Sequence, residues 1–121
     1  NPFDVLLSPA QRSKFKPTPE AKMVMDLLME TGEERVAPRA VFKYIEGTER
    51  LTGKPKRIDL TGEQFIHYQT LVGQETLRLL GRVRENWSTE RKIEYIIKAL
   101  NEAGNKGRNE MRKELGLKVS K

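Results

Sequence analysis

The sequence predicts a mainly α fold with a small β-hairpin: a helical domain of about four helices behind an extended N-terminal arm. Three observations predict it. Apolar residues recur at spacings of three and four over most of the chain. Ser8, Thr18, Thr61 and Ser88 stand at the heads of these stretches, as helix N-caps do. Between residues 33 and 60 the pattern gives way to β-branched and aromatic residues divided by Gly47, Gly53 and Pro55.

Residues 1–17 read as an extended docking arm, with one or two helical turns from Ser8-Pro9 to about Phe15 and a stiff connector at Lys16-Pro17. Residues 18–121 read as a single, mainly helical domain. Thr18 caps its first strong helix, Pro19 occupies the first helical position, and Gly32 ends it. The apolar set Ala21, Met23, Val24, Met25, Leu27, Leu28 and Met29 wraps more than one face of that helix. Such a helix is covered on several sides, by its own core or by a partner. Methionine makes that surface compliant.

A hairpin follows, pairing roughly residues 40–46 with 56–60 across a loop of about nine residues. Two strands alone are marginal in water, so the pair must lie on helices or on another chain. Thr61 and Gln64 then have the spacing of a capping box. Phe65, Tyr68, Leu71 and Val72 mark the buried face of the helix it opens. Gly73 is expected to break or bend that helix. A further helix, with Leu77, Leu80 and Val83 on one stripe, is expected from about Gln74 to Arg84. Trp87 should plug the core beside the cap Ser88. The last helix carries Ile93, Ile96, Ile97, Leu100, Ala103, Gly104, Gly107, Met111 and Leu115 on one face. The small residues Ala103, Gly104 and Gly107 mean one of two things. The helix breaks near Asn105, or another helix packs closely there, from this chain or from a second copy. Gly116 stops the helix and leaves a basic tail.

The 121 residues suffice for one modest core. With 36% hydrophobic and 33% charged residues, that core is expected to be thin, which favours reliance on partner chains. No apolar run approaches the roughly 18 residues of a membrane span, and no secretory leader is visible. Without cysteine there is neither a disulfide nor a thiolate metal site. The chain begins with Asn1 and not Met, which reads either as a processed chain or, the favoured reading, as the C-terminal part of something longer.

Charge is unevenly placed. Residues 1–77 hold 11 Lys/Arg against 11 Asp/Glu, and residues 78–121 hold 12 against 6, so the whole net charge of +6 lies in the last part. Arg78, Arg82 and Arg84 form one basic cluster, and Arg108, Arg112 and Lys113 a second. They are candidate contacts for a polyanion or an acidic partner surface. Neither cluster is interleaved with aromatic residues, so a single-strand stacking platform is not expected there. A solvated helix face with alternating charges is the plainer reading of the same residues.

No catalytic, cofactor or metal site is expected. His67 is the lone histidine, and Glu63, four residues earlier, is its only helical neighbour of the right chemistry. A nucleophilic dyad also needs an orienting group and an oxyanion hole, and nothing marks either. Thr52-Gly53-Lys54-Pro55-Lys56 lacks the leading glycine and following helix of a phosphate loop.

The run Ile58-Asp59-Leu60-Thr61-Gly62-Glu63, the helix ending Leu71-Val72-Gly73, and the preceding Pro38-Arg39 and Gly47 together resemble the C-terminal regions of large tailed-bacteriophage virion proteins. These include internal ejection proteins, tape-measure-like chains and large polyvalent proteins. A helix like Lys92–Leu115 commonly follows in them, usually with alanines where this chain has Gly104, Asn105 and Gly107. The resemblance covers roughly residues 34–115. It implies a structural component of a phage particle, made in the host cytoplasm and located in the virion. Such a piece docks on other virion proteins in multiple copies and helps DNA delivery. The alternative is a non-specific nucleic-acid-binding protein that uses its basic C-terminal half.

Overall fold

Residues 18–120 are described by a computed structural model of the chain. The predicted arm and its short helix lie outside the described residues. The first described helix, α1, runs Pro19–Thr31. The Thr18 hydroxyl accepts the Ala21 N–H at 3.1 Å, and the Gly32 N–H donates to the Leu28 carbonyl at 2.8 Å. Ala21, Val24 and Leu27 are buried. A single 3-10 turn, Glu34–Val36, then sinks Val36 completely into the core.

Strands β1 (Tyr44–Thr48) and β2 (Pro55–Asp59) form an antiparallel hairpin, with Tyr44 opposite Asp59 and Glu46 opposite Arg57. The first strand lies further along the chain than the sequence predicts, and the loop shortens to residues 49–54. Gly47 is the reason. It is a strand residue and not a turn residue, because the C-terminal tail lies against it. A Cβ there would stand 2.8 Å from Leu117 Cδ1.

Helix α2 runs Gly62–Leu80. Its capping box is complete: Thr61 Oγ1 accepts the Gln64 N–H at 3.1 Å, and Gln64 Oε1 accepts the Thr61 N–H at 2.9 Å. Gly73 does not break it, and the expected separate helix over residues 74–84 does not exist. A single glycine costs a helix about 1 kcal/mol. Here it lies buried between Val72 and Thr76, which are themselves buried, and burial of that face outweighs the loss. Thr76 sits in the core and donates its hydroxyl to the Val72 carbonyl at 2.7 Å.

Helix α3 runs Thr89–Glu114 from the cap Ser88 and is also unbroken through Gly104 and Gly107. It lies antiparallel to α2: His67 meets Glu114, Val72 faces Gly107, and the Tyr95 hydroxyl donates to the Leu79 carbonyl at 2.8 Å. Trp87 is half-buried where the two helices join. Its ring meets Tyr95 edge-on at 5.3 Å, and the Arg91 guanidinium lies 4.1 Å over it. The core gathers between α2 and α3. Leu80, Ile96 and Met111 are fully buried there, and Val24, Val36 and Ile45 close it from outside.

After Gly116 the basic tail is docked and not free. Leu117 is buried, and the Lys118 N–H donates to the Thr48 carbonyl at 2.9 Å, which extends the edge of β1. Arg112 completes the join. Its Nε donates to the Glu46 carbonyl at 3.0 Å, and its Nη1 donates to Asn109 Oδ1 and Ser120 Oγ.

Candidate functional site

The predicted small-residue stripe divides between two uses. Ala103 is fully buried, and Gly107 lets α2 and α3 come together. A Cβ at Gly107 would lie 2.4 Å from Val72 Cγ2 and 3.3 Å from the Tyr68 ring. The close approach is therefore made inside this chain. Gly104 points elsewhere, toward the Arg108 guanidinium, and lines a cavity.

The basic clusters divide in the same way. Arg78 is bound to Glu75, with Nε at 3.0 Å from Oε2, and Lys106 reaches that carboxylate from α3 at 3.1 Å. The Glu75 side chain is only 12% exposed. The hydrogen bond from Arg78, followed by Lys106, holds its carboxyl at about 2 against the opposing effect of burial. Glu75 is thus a pin between the two helices, and Arg78 belongs to it. Arg112 is engaged by the hairpin and the tail. Arg82, Arg84 and Lys113 are exposed, with no carboxylate partner among the described residues. His67 is paired with Glu114 at 2.9 Å across the helices, and not with Glu63. Both side chains are nearly half exposed.

Arg108 belongs to a place the sequence reading did not find. A cavity of about 460 Å³ opens between residues 37–44, β1, α2 and α3. Val72, Ile97 and Leu100 form an apolar part of its wall, beside Thr76, whose hydroxyl is taken up by the Val72 carbonyl. Arg35, Arg39, Arg108 and Arg112 border it, with Glu46 as the one carboxylate. Burial pushes the Tyr68 hydroxyl pKa up, and Arg108 and Arg112 oppose that rise. On the outer wall Phe42 stacks on Tyr44, with ring centroids 5.2 Å apart and planes inclined by 16°. The Arg57 guanidinium lies 3.7 Å over the Tyr44 ring. Hairpin register explains the group. Arg57 is the diagonal cross-strand neighbour of Tyr44, and Phe42, two residues before the strand begins, stacks back on that ring. The sequence signal was the pair Phe42-x-Tyr44, which becomes legible only once β2 is aligned against it.

Among the described residues no group of His, Cys, Asp or Glu could hold a metal ion, and no helix is long and apolar enough to cross a membrane. Comparison with protein-family models, with curated proteins and with solved structures finds no match.

Proposed function

We propose that this chain is a structural docking module of a tailed-phage particle. In this reading it is an ejection or tail-internal component that binds neighbouring virion proteins and helps deliver DNA. The observation that carries the docking role is α1. Its apolar residues wrap most of the helix, yet only Ala21, Val24 and Leu27 are buried. Met23, Met25 and Leu28 are half-covered, and Met29 is 81% exposed. An apolar face that the described residues leave partly uncovered gains by burial against another surface. The phage setting rests on the resemblance of residues 34–115, whose shared run Ile58–Glu63 ends β2 and opens the capped α2.

The test is a photo-crosslinking residue at Met29 in particles that carry the chain. The expected result is a crosslink to a second virion protein, identified by mass spectrometry, and its loss in Leu28→Asp. Purified particles that lack the chain, or a Met29 position that crosslinks to no other protein, would overturn the reading.

A polyanion surface on the C-terminal half is the second proposal. It is supported by the exposed Arg82, Arg84 and Lys113, and weakened by the engagement of Arg78 and Arg112 within the fold. Replacing Arg82 and Arg84 together with Ala tests it. Unchanged binding to duplex DNA at 50 mM salt would remove that surface from consideration.

A further inference from the structure

The aromatic group on the hairpin and the cavity beside it share one opening, and together they have the chemistry of a ligand site. Phe42 is 64% exposed although it is stacked on Tyr44, so the stack ends in ring surface that nothing in the described fold covers. The Arg57 guanidinium adds a cation–π contact on Tyr44 to that stack. The cations beside it are of two kinds. Arg35 is held by both oxygens of Glu33, at 2.9 Å each, and Arg112 is held by the Glu46 carbonyl and the tail. Arg39 and Arg108 have no carboxylate partner among the described residues. The cavity volume lies within the range of small-ligand sites.

We infer that this opening binds single-stranded nucleic acid, with one base stacked on Phe42 and flanking phosphates on Arg39 and Arg108. A ligand suited to this place must bring both a flat π-face and negative charge, because Phe42, Arg39 and Arg108 line the same cavity. A single strand does so at every nucleotide, whatever its sequence. A duplex does not, because its base faces are already stacked. Near-parallel rings, as in Phe42 and Tyr44, are extended by face stacking of another ring. The net charge of +6 draws a polyanion toward the whole surface. The site is distinct from Arg82 and Arg84 at the far end of α2, and the inference does not depend on the virion reading.

The experiment is fluorescence anisotropy of the full 121-residue chain with a labelled ten-nucleotide oligothymidine, a duplex of equal length, and an acidic peptide containing tyrosine, each titrated with salt. The single strand should bind more tightly than the duplex. Phe42→Ala should weaken single-strand binding about 5- to 150-fold with an unchanged thermal midpoint. Joint replacement of Arg39 and Arg108 with Ala should flatten the salt slope by about 1.4, as expected for two phosphates. Because Arg108 also contacts Asn105 and Tyr68, Arg39→Ala alone serves as the milder variant, with a change of about 0.7. Equal affinity for duplex and single strand would overturn the inference. So would binding lost in the Arg82/Arg84 double variant but kept in Phe42→Ala, or binding of the acidic peptide alone.

Discussion

The seam between α2 and α3 and the hairpin beside it are built on opposite terms. The middle of the seam is closely fitted. Gly107 admits Val72, Ile96 is fully buried, and one carboxylate, Glu75, serves two cations from two helices. At the outer wall of the hairpin, Phe42 shows most of its ring to water and Arg39 has no acidic partner among the described residues. Stability is concentrated in the seam, and surface chemistry is left open at the hairpin. The difference teaches that a weakly apolar composition need not give a uniformly thin interior. Here the core is centred on one helix pair, which α1, Val36, Ile45 and Leu117 complete, and the described residues leave α1 and the hairpin wall partly uncovered.

That contrast can be broken by substitution, and four effects are expected in descending order. Ile96→Ala should destabilise the fold by about 2–5 kcal/mol, read from denaturant midpoints, because it opens a cavity at a fully buried site. Gly107→Val should cost about 1–3 kcal/mol, because Val72 has to move away from the new side chain. Thermal melts will show this directly, and pairing the substitution with Val72→Ala should recover part of the loss. Glu75→Gln should cost about 1 kcal/mol near pH 6, since the pair is partly screened by water. The Glu75 carboxyl is depressed from 4.5 to about 2 in the folded chain. Its contribution is therefore complete above about pH 4.5 and fades as pH falls toward 2. The wild-type and Glu75→Gln midpoints should converge at the acid end. A difference that persists at pH 2 would mean that the Glu75 pin is not electrostatic. Phe42→Ala should shift stability by less than about 0.5 kcal/mol. A large loss there would show that the hairpin wall is core after all, and the contrast would fail.

Local signals were readable in advance. Thr18, Thr61 and Ser88 are caps in the fold as in the sequence, because capping depends on residues two or three positions away. Gly32 and Gly116 end their helices for the same reason. Gly73 and Gly104 misled, because their place in a helix is decided by what packs on the flanking turns, which a one-chain pattern does not contain. Gly47 misled in the same way, since the residue that fixes its role is Leu117, at the other end of the chain. The basic clusters could be named but not sorted. Arg112 is set apart from Arg108 by the Glu46 carbonyl and Ser120, on other elements, and Arg78 from Arg82 by Glu75, three positions earlier on its own helix, which Lys106 joins from α3. The stack of Phe42, Tyr44 and Arg57 needed the strand register, and His67 found a carboxylate 47 positions away rather than four.

The tail over Gly47 has a consequence for the edge of the sheet. The Thr48 carbonyl takes its amide from Lys118, roughly seventy residues later, so this sheet edge is closed by a contact of long sequence separation and stays open until the tail docks. Until then β1 presents an open, hydrogen-bond-hungry border. A chain that has lost the tail from Leu117 onward would keep that edge exposed, and an exposed strand edge is a template for pairing with another chain.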